Sequence, residues 1–385
     1  MNEFSLWSRN FVSVCLSSFL YFGSFYLLLP VLPQYVASLG GTAGQIGLVI
    51  GTFTLTSVVV RPYFGQLADR WGRKKLMVVG AALFALLFLF YNTMQVISPL
   101  YLLRIMHGVA FGCYLAAVYA YVADLAPVER RGEVMGIFGV SNVVAMALFP
   151  ALGSAIITNT GSFGLLFTAA VGVASASFLA IFFIDESKPV EISAKKVSLL
   201  AVARHPAVLV ASLTLFAAAT AYGAVITFLP VFAPERGLIN FGIFFTTYAL
   251  FSLISRVIAG KMSDRFGRRK VILPFLTLVA LAMFLLPFLH SIYLLIFIGV
   301  CFGLGFGAFM PALGAYIVDE TTPQERASAL AFFTAFMDVG ITTGAVILGF
   351  IGGYCGYAVM FGLSGIIVIG GLLLFALGSN QTGSK

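Results

Sequence analysis

Asp338 is the one acidic residue in the middle of a long apolar run, Phe332-Phe-Thr-Ala-Phe-Met-Asp-Val-Gly340, about 11 residues and roughly 17 Å from its start if the run is helical. The other Asp and Glu fall in polar loops, near the termini or within a turn or so of an apolar run's end. A carboxyl at that depth is costly, so it pairs or faces a wet cavity where it takes up and releases a proton. Two readings stay open for it: a proton carrier, or a packing side chain hydrogen-bonded to Thr334 or Thr342 one turn away. A second polar stripe comes from Arg104, His107, Phe111 and Tyr114, whose spacing of three, four and three puts them on one helix face. His107 reads either as a neutral bridge between helices or as a titrating relay. The chemistry on offer is proton exchange beside a fixed cation. Bond-making is not indicated, because the chain has no phosphate-binding loop, no paired carboxylates within the apolar runs and no nucleophile at a recognisable distance from a base. We therefore expect no enzyme. Cys15, Cys113, Cys301 and Cys355 form no CxxC pair, and His107, His205 and His290 are far apart, so neither a metal nor a cofactor is expected.

The elements that hold these groups are membrane helices. With 61% hydrophobic and 9% charged residues, the chain lies outside the range of soluble domains. Apolar runs long enough to cross a bilayer core as helices are predicted at 10–36, 45–68, 76–94, 97–123, 133–157 and 163–184, then at 206–233, 240–260, 271–289, 291–318, 327–350 and 355–378. The predicted fold class is an all-α polytopic membrane protein of twelve transmembrane helices. Only Arg236 among the Lys and Arg falls in a segment that would be external, and Arg61, Arg104 and Arg256 lie within the runs; the rest lie on one side. Cationic loops stay in the cytoplasm, which predicts both termini inside and a bacterial cytoplasmic membrane. The net charge of +8 is thus a topology signal, and scattered over short loops it argues against nucleic acid as a partner. The N-terminus lacks the order of features of a cleaved signal, so the first helix is expected to be retained.

One long polar break, Asp185 to His205, divides the chain into predicted bundles at 1–187 and 206–385 joined by a linker at 188–205. Within it, Ser198 to Arg204 has the pattern of an amphipathic turn on the membrane surface. The two halves repeat one another. Gly65-Gln-Leu-Ala-Asp-Arg-Trp-Gly-Arg-Lys-Lys75 recurs 195 residues later as Gly260-Lys-Met-Ser-Asp-Arg-Phe-Gly-Arg-Arg-Lys270. The same offset pairs Arg61 with Arg256, Gly108 with Gly303, Gly112 with Gly307, Tyr121 with Tyr316 and Asp124 with Asp319. A one-residue insertion then matches Pro127-Val-Glu129-Arg130 to Pro323-Gln-Glu325-Arg326 and sets Asn142 against Asp338. In the first helices of each half, Leu29-Pro30-Val31 matches Leu229-Pro230-Val231. Parallel repeats of this kind are one architecture built for alternating access.

The GxLADRxGRKK run between the second and third helices, with Arg104-x-x-x-Gly108-x-x-x-Gly112 in the fourth, resembles the signature motifs of the major facilitator superfamily across the whole chain. The resemblance implies two pseudo-symmetric six-helix bundles around a central cavity that opens to each side in turn, driven by an ion gradient. It also implies a gate. In that superfamily the loop Asp locks against the start of helix eleven, and a motif Arg pairs with an acid at the end of helix four. Here the matching set is Gly65, Asp69, Arg70 or Arg73, Gly72 and Asp124, with Gly260, Asp264, Arg265, Gly267, Arg268 and Asp319 in the second half. Arg61 and Arg256 are read with the gate, snorkelling or pairing with its acids. By the same resemblance Arg104 takes part in proton coupling, for which Asp338 and His107 are the candidates that position and spacing supply. The carboxylates at the helix ends are also suited to accept backbone hydrogen bonds from a facing helix start.

A mixed aromatic and hydroxyl lining is offered by Tyr21, Ser24 and Phe25 of helix one, Tyr114, Asn142, Tyr222 and Thr227, and Phe336. Such a lining suits small amphipathic molecules. Exporters of the superfamily often carry a Gly-Pro motif in helix five, where this chain has Phe149-Pro150-Ala-Leu-Gly153 with Phe in place of the preceding Gly. The expected function is a secondary active transporter, a proton-coupled antiporter exporting drugs or metabolites as a monomer in the lipid bilayer. An uptake symporter for a sugar or other small nutrient, or an exporter dedicated to a metal-chelating metabolite, remains open.

Overall fold

The computed structural model describes residues 7–127, 130–187 and 202–382. Among them, twelve helices are long and apolar enough to cross a membrane, and no strand occurs. In the first half they are α1 (Arg9–Ser38), α2 (Ala43–Trp71), α3 (Arg73–Tyr91), α4 (Ser98–Leu125), α5 (Arg131–Thr160) and α6 (Phe163–Phe183). In the second half they are α7 (Pro206–Glu235), α8 (Gly242–Phe266), α9 (Arg268–Phe288), α10 (Ile292–Glu320), α11 (Ser328–Cys355) and α12 (Tyr357–Ser379). The predicted amphipathic turn and the repeated loop's Glu129 fall at least partly outside the described residues.

Several helix starts are written locally. Thr42 and Gln45 cap α2 reciprocally, the Gln45 carboxamide oxygen accepting the Thr42 N–H at 2.9 Å and the Thr42 hydroxyl accepting the Gln45 N–H at 3.3 Å. Before α11, Glu325 accepts the Thr322 hydroxyl at 2.8 Å and its N–H at 3.2 Å, which holds this carboxyl below the usual carboxylate range. The charged motif departs from its expected place in a loop. Asp69, Arg70 and Trp71 continue α2, and one residue, Gly72 at φ 100°, turns the chain into α3. Gly267 at φ 92° does the same between α8 and α9. That left-handed backbone excludes most side chains, so a full helix-to-helix reversal fits in one glycine.

The contacts divide the chain into two compact units, one of Met1–Gly41 with Thr52–Ile192 and one of Thr42–Gly51 with Ser193–Lys385. Inside each unit the repeat becomes the same close crossing. A Cβ on Gly108 of α4 would lie 2.6 Å from the Phe53 carbonyl oxygen of α2, and one on Gly303 of α10 would lie 2.5 Å from that of Tyr248 in α8. Phe149 is accommodated in an equally specific way. Its ring fills the notch at Gly23 of α1, where a Cβ would come within 2.4 Å of ring carbon Cε2, while Gly153 rides on the Leu27 carbonyl. Close packing is thus kept at this position although Phe replaces the motif's glycine. Gly23→Ala is expected to cost about 1–3 kcal/mol by overpacking, and Phe149→Ala in the same chain to recover much of it. Thermal unfolding midpoints of the two single variants and the double variant measure that coupling; strict additivity would refute it.

Candidate functional site

Asp338 sits on α11 with 7% of its surface exposed. Two glycines beyond it hold the helix against α7 at backbone distance: a Cβ on Gly340 would meet the Phe216 carbonyl oxygen at 2.6 Å, and one on Gly344 that of Thr220 at 2.0 Å. Gly223 of α7 returns the fit against the Ile341 carbonyl. Small residues spaced four apart allow this approach, which fixes Asp338 in depth and rotation. Gly344→Ala is expected to destabilise the folded chain by about 1–3 kcal/mol, since the atom it strikes is backbone and cannot swing away. Gly362→Ala, with open space at its Cβ, is the matched control, and equal unfolding midpoints for the two would contradict the contact.

Neither threonine near Asp338 spends its hydroxyl proton on the carboxylate. Thr342 donates to the Asp338 main-chain oxygen at 3.0 Å and Thr334 to that of Ala331 at 3.0 Å. In the same unit, Tyr222 joins a ring cluster with Tyr248 at 5.8 Å and Phe306 at 5.1 Å, and Phe336 packs on Phe332 at 4.7 Å. Thr227 is fully buried on α7, and its hydroxyl has no hydrogen-bond partner among the described residues.

The first unit holds the cation. Arg104 is buried with its guanidinium carbon 4.1 Å from the centre of the Phe53 ring. Phe53 belongs to a triangle with Phe25 and Phe111 whose centroids are 5.1–5.2 Å apart. His107 is buried too, with Nε2 at 3.0 Å from the Phe84 carbonyl oxygen and Nδ1 at 3.0 Å from the Tyr91 hydroxyl. Tyr91 ends α3, and nothing in the helical periodicity of α4 pointed to it.

Several residues expected to line a cavity are enclosed within this unit instead. Tyr21 and Tyr114 are fully buried and stack at 3.8 Å; Tyr114 bonds Ser17 at 3.0 Å and Ser18 at 3.2 Å, and Tyr21 donates to the Ala110 carbonyl at 3.3 Å. Ser24 is also buried, its hydroxyl spent on the Tyr21 carbonyl at 2.8 Å. A stripe of hydroxyls on a helix can face a neighbour as well as a pathway, and here α4 and α6 take it. Asn142 of α5, half-buried, accepts the Tyr26 hydroxyl at 3.1 Å.

Of the two candidate gate arginines, Arg73 makes the pair. Its Nε lies 3.1 Å from Asp124 Oδ2, and Nη1 reaches Asp69 one turn before it. Arg268 repeats the arrangement with Asp319 at 2.8 Å and with Asp264. The two clusters differ in cover: the Arg73 and Asp124 side chains are each 8% exposed, those of Arg268 and Asp319 24% and 51%. The cover is the opening of the polar break between the halves. Just past α6, the Asp185 carboxylate accepts Arg9 at 3.0 Å, Glu186 accepts the Lys74 N–H at 2.9 Å, and Ser187 donates to Asp124 at 3.0 Å. Arg70 and Arg265 are exposed, Arg265 lying over its neighbour Phe266 at 5.3 Å, and Arg256 is exposed. Arg61 turns back to Ser57 at 3.4 Å. Gly65 and Gly260 have open space around the Cβ position, so packing does not demand glycine there.

The family model described as Major Facilitator Superfamily matches residues 14–239 and 237–384. Multidrug resistance protein MdtG of Enterobacter lignolyticus (strain SCF1) is 27% identical, covering 98% of this chain and 94% of the relative. The protein of the same name from Salmonella paratyphi C (strain RKS4594) is 26% identical, covering 94% and 93%. Among solved structures, a variant of the nucleoside transporter NupG superposes with a TM-score of 0.80 over 95% of this chain and 99% of that one, at 14% identity, a likeness of fold alone.

Proposed function

The chain belongs to the major facilitator superfamily, and from that premise we propose that it is a proton-coupled antiporter exporting small amphipathic molecules from the cytoplasm. The observation that carries the proposal is Asp338, a carboxyl nearly closed to solvent on a helix that backbone contacts hold in place. An acid in the middle of a membrane helix is rare and marks a proton or substrate pathway, so exchanging a proton for cargo is the work it is suited to. The relatives named multidrug resistance proteins support export as the direction. On this reading the cationic loops, with the termini and the Arg73 and Arg268 clusters, face the cytoplasm.

The proposal is tested in everted membrane vesicles holding a respiratory proton gradient. Addition of a transported compound should release protons from the lumen in vesicles carrying this protein and not in empty ones. Cargo accumulation that an uncoupler leaves unchanged would overturn proton coupling. Accumulation only with the opposite gradient would establish uptake.

A further inference from the structure

The hydrogen bonds around Arg104 run in one direction. The Phe84 carbonyl oxygen can only accept, so His107 Nε2 carries a proton toward it at 3.0 Å. Arg104 Nη1 can only donate, and it points at the Tyr91 hydroxyl oxygen at 3.5 Å. The Tyr91 proton is then directed to His107 Nδ1 at 3.0 Å, which must be a bare acceptor. A doubly protonated imidazole would turn that bond around, strand the tyrosine proton and put a second cation beside Arg104 in a buried site. The neutral imidazole with its proton on Nε2 places the Tyr91 and His107 hydrogens. Rings lock the arrangement, Phe84 and Phe88 flanking His107 at 4.4 and 4.7 Å and Phe167 lying 5.2 Å from Tyr91.

The second half of the chain provides an internal control. At the repeat offset of 195 residues, the positions of Arg104, Tyr91 and His107 are held by Gly299, Leu286 and Phe302. The offset is physically sound there, because Gly108 and Gly303 rest on the matching carbonyls of Phe53 and Tyr248. Where the cation is missing, the tyrosine and the histidine are missing as well, and apolar packing fills the site with Tyr248 and Phe302 rings 5.7 Å apart. Tyr91 and His107 are not needed to build this kind of bundle. They accompany the arginine.

We infer that Tyr91 and His107 are positioning residues that hold the Arg104 guanidinium over the Phe53 ring, with His107 serving as a permanently neutral anchor. The inference rests on the proposed part of Arg104 in proton-coupled export. The test uses the full chain in lipid nanodiscs with 15N-labelled histidine; only His107, His205 and His290 contribute, and His107→Gln assigns the signal. The expected spectrum shows His107 neutral and protonated on Nε2 throughout the pH range in which the transporter works, with the Nδ1 resonance moving in Tyr91→Phe. A cationic His107, or a proton on Nδ1, would overturn the assignment.

Transport supplies the second arm. Glutamine can accept from Tyr91 and donate to Phe84 without titrating, so His107→Gln should export within about twofold of wild type, whereas Tyr91→Phe, which keeps the ring and removes the link, should lose about tenfold or more. Wild-type export by Tyr91→Phe at an unchanged unfolding midpoint sinks the positioning role, and loss of export in a folded His107→Gln makes His107 a titrating relay instead. A wild-type protein without gradient-driven export would refute the functional proposal alone, because the spectrum still decides the hydrogen-bond chain.

Discussion

Asp338→Asn abolishes gradient-driven export and leaves a folded protein: this is the largest functional effect expected of any single substitution in the chain. Asparagine keeps the size of the side chain and its capacity to accept a hydrogen bond, and it takes away the dissociable proton. Packing against α7 runs through Gly340 and Gly344, which the substitution does not touch. The measurement is resistance of a pump-deficient bacterium to a panel of lipophilic cations, antibiotics and chelating metabolites, with expression matched and with or without an uncoupler. Wild type should protect only while the proton gradient stands, and Asp338→Asn should protect no better than an empty vector. Uncoupler-sensitive resistance in the variant would remove Asp338 from the mechanism.

The largest effect on stability is expected at Arg73. Its pair with Asp124 is closed off by Glu186 and Ser187, so Arg73→Ala leaves a buried carboxylate without its cation. Breaking a buried pair from one side costs about 3–5 kcal/mol. The repeat-related Arg268→Ala removes a pair open to water and screened by salt, where about 0.2–1 kcal/mol is expected. Unfolding midpoints of the two variants in one detergent, at low and high salt, should therefore diverge for residues that an alignment of the halves treats as equivalent. Equal losses would show that the cover over Asp124 contributes nothing.

The large features were legible because each follows from a rule about water and backbone. Apolar length gave the helices, and the offset of 195 residues foretold that Gly108 and Gly303 make the same crossing. What escaped depends on which neighbour a side chain meets. Helical spacing put Tyr21 and Tyr114 on stripes but could not tell a pathway from a facing helix, and they stack on each other. The choice between Arg70 and Arg73 turned on Gly72, whose single-residue turn sends Arg73 back over Asp69 and Arg70 outward. Tyr91 and His107 are 16 residues apart on separate helices, a distance at which no periodicity speaks. Phe149 looked like damage to a motif until Gly23 supplied the matching hollow.

Three residues just past α6 bear on how the gene can be cut. Asp185, Glu186 and Ser187 look like the opening of a tether between halves, yet each is bonded into the first unit, to Arg9, Lys74 and Asp124. Two half-length polypeptides made from this gene would have to be divided after Ser187, so that the first carries the tripeptide as its own tail. Division only a few codons earlier would leave the apolar helices whole and uncover the ion pair that secures them.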